Sequence, residues 1–167
     1  EHAGLMFQCR LQRLAAIGYC MGGGVVVHMA RAGAPLKAVA SFHGSLGLAR
    51  APGPDSVDLR VAAYHGEDDV LVPPEDIAAF EEEMTACGAH WQLVSLPGCL
   101  HGFSNPQASV NGEKYGLPLA YSDQGDAASW AHMRLVLAID TARGRPLAPE
   151  EVADLWDLAS IARLLEA

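Results

Sequence analysis

The chain is predicted to fold as an α/β protein built on a mostly parallel sheet flanked by helices. Three observations predict this. Four short apolar runs, at about 13–18, 37–42, 60–65 and 90–96, are bounded by turn residues and are nearly continuous rather than alternating, the pattern of strands buried on both faces. Segments with helical spacing of apolar residues follow the first and third runs, as crossovers between parallel strands require. Residues able to do chemistry collect just beyond the carboxyl ends of three runs, at Cys20, at Asp68 and Asp69, and at His101. That is the edge at which open parallel sheets bind ligands.

The first strand runs into Gly18-Tyr19-Cys20-Met21-Gly22 and restarts as a helix through Val25, Val26, Met29 and Ala30, ending near Gly33 with Pro35 beyond it. The second strand is followed by His43 to Leu59, rich in Gly, Pro and Asp and read as a loop at the site edge. The third strand leads into an acidic turn, Gly66-Glu67-Asp68-Asp69, and a helix begins after Pro73-Pro74. Ile77, Phe80, Met84 and Cys87 form its buried stripe, Glu81, Glu82 and Glu83 mostly face solvent, and Gly88 ends it. After the fourth strand, Asn105 to Ser122 is read as a second long loop that carries Tyr115 and Tyr121 over the pocket. Asp123 is expected to cap a helix over 125–140 that sets Trp130, Met133 and Leu137 against the sheet. Pro149 to Ala167 reads as one more amphipathic helix, packed on the domain or used in self-association. The boundaries are therefore one α/β domain over 1–142 and a helical extension over 143–167.

A nucleophile flanked by glycines between a strand and a helix is a nucleophile elbow, in which the central residue sits on a strained turn. Here it would be the Cys20 thiol, with the helix N-terminus favouring a thiolate and the Met21 N–H placed to hold an oxyanion. A buried structural thiol is the plain alternative. Order supports the functional reading, because an acid and then a histidine follow Cys20, as in one well-known chain order of nucleophile, acid and base. His43 and His65 also precede glycines near strand ends, but only His101 comes after the acid. Phe42, His43, Leu46 and Phe103 are candidate lining residues by position, and Phe42 could equally belong to the core.

Taken together, Gly18-Tyr19-Cys20-Met21-Gly22-Gly23, His65-Gly66-Glu67-Asp68-Asp69-Val70-Leu71-Val72-Pro73 and His101-Gly102-Phe103-Ser104-Asn105-Pro106 resemble the dienelactone hydrolase family over roughly Arg13 to Ile139. The resemblance implies the C-terminal part of an α/β-hydrolase-type sheet and a Cys-Asp-His triad that opens lactones and cleaves esters. It selects Asp69 over Asp68 as the acid. The expected reaction is a two-step acyl transfer without metal or cofactor: Cys20 attacks, Met21 N–H binds the oxyanion, and His101, held by Asp69, moves protons. Two departures stand out. Only about a dozen residues precede the elbow where the family has several strands and helices, and with no Met at position 1 this points to a truncated gene product, a fragment or a processed chain. Asn105 stands where the family has a substrate-gripping arginine, and it lacks the charged fork. The alternative is a non-catalytic fragment or interaction module, completed by a partner or a second copy through an exposed sheet edge or the C-terminal helix.

Composition sets the remaining bounds. The 167 residues, half of them hydrophobic, suffice for one core. A formal charge of −9 argues against nucleic acid as partner, and no apolar run approaches the roughly 20 residues of a membrane span. A small-molecule ester or lactone is the expected partner. The four cysteines, Cys9, Cys20, Cys87 and Cys99, form no Cys-x-x-Cys pair and show no zinc-like spacing with the seven histidines. No metal site is therefore expected, and reduced thiols in a cytoplasmic setting fit best. Cys99, two residues before His101, is either a buried thiol or a disulfide partner for Cys20 under oxidation.

Overall fold

The computed structural model describes residues 14–47, 57–144 and 151. In chain order the elements are β1 (Ala15–Tyr19), α1 (Met21–Arg31), β2 (Ala38–Phe42), β3 (Arg60–Gly66), α2 (Pro74–Ala86), β4 (His90–Leu96), α3 (Ala108–Tyr115) and α4 (Asp123–Arg143). The four strands form one parallel sheet in the order β1-β2-β3-β4. Each lies within two residues of its expected bounds. Tyr19 pairs with Phe42, Phe42 with Tyr64, and Tyr64 with Val94, so the carboxyl ends finish level and the turns that follow meet along one edge.

Side-chain alternation divides the core between the two faces. On one face, Val26, Val27 and Ala30 of α1 join Phe80, Met84 and Cys87 beyond or within α2, over Val39, Val61 and Ala63 of the sheet. On the other, Met133 of α4 packs with Ala40, Phe42, Tyr64, Val94, Leu96, Cys99 and Phe103. Phe80, with no exposed surface, is an anchor whose truncation to alanine would cost about 3–5 kcal/mol. Pro74 opens α2, where its missing N–H costs no helical bond. Gly33 and Gly88 follow the ends of α1 and α2 with φ of 70° and 72°, conformations glycine adopts without penalty.

Several expectations are corrected. The segment 105–122 contains α3 rather than being loop throughout. Ser122, and not Asp123, caps α4: its hydroxyl accepts the Gly125 N–H at 3.1 Å while Asp123 lies in the first turn. Within α4, Met133 is buried but Trp130 and Leu137 are 40% and 47% exposed, and Val136 and Ile139 take the inner positions. Tyr115 is exposed. Glu81 and Glu82 face solvent, whereas the Glu83 carboxylate turns inward to grip Arg31 through two contacts of 2.7 Å. Cys87 and Cys99 are buried free thiols, and Cys20 is a free, exposed one. The expected C-terminal helix, Pro149 to Ala167, lies outside the described residues apart from Glu151, as does Cys9. Among the described residues, no helix is long and apolar enough to cross a membrane.

Candidate active site

Cys20 joins β1 to α1 with φ 52° and ψ −121°. Only His43 shares a positive φ among the described residues other than glycine, and such backbone is held in place by its surroundings at about 1–3 kcal/mol. What holds it here is close packing. A Cβ on Gly18 would fall on the Gly22 carbonyl, and one on Gly23 would come within 2.6 Å of the Ser41 hydroxyl and 2.9 Å of the Gly44 backbone. The Cys20 N–H donates to the Phe42 carbonyl at 3.0 Å, tying the elbow to the end of β2. Sγ is thereby presented at the sheet edge, above the first turn of α1, whose N–H groups have no acceptor within the helix.

The acidic turn after β3 is tied by the Asp69 N–H to the Gly66 carbonyl at 3.0 Å. Gly66 has no room for a Cβ against the Cys99 carbonyl, so the loop after β4 lies directly on the end of β3. Asp69 is 4% exposed. Its Oδ1 accepts the Leu71 N–H at 2.9 Å and its Oδ2 lies 2.8 Å from His101 Nδ1. The other ring nitrogen of His101, Nε2, lies 3.2 Å from Cys20 Sγ. From behind, the His101 carbonyl accepts the Ala120 N–H at 3.2 Å, so the chain beyond α3 supports the histidine. Asp68 is exposed.

Electrostatics follow from these contacts. The hydrogen bond that His101 donates to Asp69 raises the pKa of His101 to about 9, against an opposing effect of burial, and the contact with Cys20 adds to the rise. Burial would raise the Asp69 pKa, but the hydrogen bonds from His101 and the Leu71 N–H and the nearby positive charge win, leaving it below the ordinary value. His43 goes the other way: burial and the cationic His101 lower it to about 4. His65 is also lowered, chiefly by burial.

His43 is 2% exposed. Its Nε2 lies 2.9 Å from the Ser104 hydroxyl, and its ring meets His101 and Phe103 edge-on with centroids 5.3 and 5.1 Å away. One donor atom from each of Cys20, His43 and His101 lies within 4.8 Å of the others, an arrangement able to hold a metal ion. Sequence spacing did not foretell this cluster, and Ser104 was not singled out at all. Phe42 and Phe103, candidates for lining, are 1% and 0% exposed. Phe42 stacks between Tyr19 and Tyr64, which is a core position behind the site. Leu46 is likewise buried in the core under α1 and α2.

The model of the dienelactone hydrolase family matches residues 5–138. An uncharacterized protein of Caenorhabditis elegans is 32% identical over 100 residues, 59% of this chain and 63% of that protein. A human carboxymethylenebutenolidase homolog is 26% identical over 102 residues, 58% of this chain and 39% of its own. Among solved structures, a dienelactone hydrolase-like promiscuous phosphotriesterase from metagenomic libraries superposes with a TM-score of 0.67 at 36% identity, over 73% of this chain and 50% of that one. The chain thus spans half of that structure and between 39% and 63% of these two curated relatives.

Proposed function

The chain belongs to the dienelactone hydrolase family, and from that premise we propose that it cleaves carboxylic esters or lactones through a Cys20-Asp69-His101 triad and a thioester acyl-enzyme. The observation that carries this reading is the continuous chain of contacts from Asp69 Oδ2 to His101 Nδ1 at 2.8 Å and from His101 Nε2 to Cys20 Sγ at 3.2 Å. The Cys20 sulfur attacks the carbonyl carbon, and the oxygen's developing charge is met by the Met21 N–H. His101, a cation at neutral pH, gives its Nε2 proton to the departing alkoxide as the carbon–oxygen bond breaks. Now neutral, it takes a proton from water as the water oxygen adds to the thioester carbon; the carbon–sulfur bond then breaks, releasing the acid and restoring the Cys20 thiolate beside the His101 cation. Asp69 keeps Nδ1 protonated and the ring oriented throughout.

Asn105 is exposed and offers no positive charge, so uncharged acyl groups are the better substrates in this reading. The phosphotriesterase activity of the structural relative adds aryl phosphotriesters to the panel to be tried. The test is pre-steady-state hydrolysis of a small activated aryl ester. The expected result is a burst followed by turnover, with Cys20→Ala removing the burst and lowering turnover by about three orders of magnitude or more. Equal progress curves for the two proteins would overturn the reading.

A second reading is favoured by the exposed apolar side chains Ile17, Tyr19, Met21 and Val25, at 46%, 48%, 81% and 51%. They lie on or beside β1, at the sheet edge among the described residues. In that reading the chain pairs with a second copy through this edge, and the hydrolytic site is secondary.

A further inference from the structure

We propose that Cys20, His43 and His101 form a capture site for a thiophilic divalent cation of the Zn2+ class, and that its occupation switches the hydrolytic site off. The donor set is one sulfur and two imidazoles, the chemistry Zn2+ prefers. Their ligating atoms lie within 4.8 Å of one another, with Sγ and His101 Nε2 already at 3.2 Å. Tetrahedral coordination at about 2.0–2.3 Å sets such atoms roughly 3.3–3.7 Å apart, so closing the site takes movement of about 1 Å.

The supporting contacts are those of built metal sites. A ligating histidine ordinarily gives its other ring N–H to a carboxylate or similar acceptor, and His101 Nδ1 already does so to Asp69 Oδ2. The ring of His43 is oriented by its Nε2 contact with Ser104 at 2.9 Å, while its buried Nδ1 has no hydrogen-bond partner. Cys20 is exposed, which gives an ion entry and leaves the fourth coordination position to water. On binding, one sulfur–metal and two nitrogen–metal bonds form, and the proton shared between Sγ and His101 Nε2 leaves to solvent. The nucleophile and its base are then both committed to the ion. The capture site goes beyond the proposed hydrolysis and stands without turnover, whereas the switch rests on that reading.

The test uses chelator-stripped protein titrated with Co2+ as a spectroscopic stand-in and with Zn2+ by calorimetry. One equivalent is expected, with a sulfur-to-cobalt charge-transfer band that Cys20→Ala abolishes. His43→Asn, chosen because asparagine tolerates the positive φ at this position, should weaken binding by about tenfold or more while Cys20 still reacts with a thiol reagent. His43→Gly, which adopts the same φ freely, serves the same purpose should the first variant fail to unfold cooperatively. Absence of the charge-transfer band, or affinity within twofold of the parent in the folded His43 variant, overturns the inference. Ester hydrolysis measured in chelator separates the two proposals. Turnover without cobalt binding sinks only this one; cobalt binding without turnover in chelator sinks the triad reading and with it the switch, leaving the capture site; and turnover unchanged by saturating Zn2+ sinks the switch alone.

Discussion

His43 and His101 lie with ring centroids 5.3 Å apart and their pKa values are pushed in opposite directions, to about 4 and about 9. His43 in the unfolded chain takes a proton as pH falls through about 6.5, whereas folded it does so only near 4. Between these values the unfolded state binds more protons, so stability falls as pH falls, by up to about 3 kcal/mol for this one group. For His101 the order is reversed: its folded value of about 9 makes its stabilisation full below 6.5 and lost as pH rises through 9. Urea midpoints measured from pH 4 to 9 should therefore decline on both sides, and His43→Asn should flatten the acid side alone. An acid limb of unchanged slope in that variant would refute the assignment. At this scale the meeting of Cys20, Asp69 and His101 could be read beforehand, because each sits in a short motif of turn residues at a strand end. The approach of His43 could not, since no spacing along the chain encodes a distance across the sheet edge, and Phe42 and Phe103 looked like lining because position does not reveal which way an aromatic ring turns.

Strands and the helices that cross between them were legible in apolar periodicity alone, since burial on one or both faces is what that pattern records. α3 was not, because Asn105, Pro106, Gly112 and Gly116 give its neighbourhood a loop-like composition. Gly112 is there for contact rather than turning, as a Cβ would strike the Leu119 carbonyl. Glu83 shows the same limit. In a run of three glutamates nothing local separates the solvated from the paired, yet Glu83 reaches Arg31, which also donates to the Leu46 and Gly47 carbonyls at 2.7 and 3.1 Å. One guanidinium therefore clamps α1, α2 and the start of the loop beyond His43. Both side chains are nearly inaccessible, at 3% and 6%, so removing one partner strands a buried charge. Glu83→Ala should cost about 3–5 kcal/mol and Glu82→Ala less than about 0.5 kcal/mol. Chemical denaturation of the two variants measures the difference, and similar losses would mean the clamp carries no stability.

As a whole, the described molecule is a four-stranded sheet covered on both faces, with apolar residues left outward at the β1 end. Ile17, Tyr19, Met21, Val25 and Met29 are 38–81% exposed, and the pairing reading predicts that this apolar surface overcomes a net charge of −9. Mass by light scattering should rise with concentration, and Ile17→Lys should return it to the monomer. A constant monomeric mass would show that the edge is left solvated. The family and the sheet were legible at this scale from three motifs in order. The balance between catalysis and pairing was not, because it depends on how much surface remains uncovered. The sheet has one more property, which concerns time rather than space. Among the described strands the order in the sheet repeats the order in the chain, so during synthesis each of these four can be laid beside the one before, with none of them inserted between two already paired. Among the described strands, β1, which leads into Cys20, is made before the others, and the loop bearing His101 follows β4. The Cys20–His101 contact therefore forms only once β4 has docked, so a change in the rate at which Cys20 meets a thiol reagent would act as an internal clock for the docking of that strand on the ribosome.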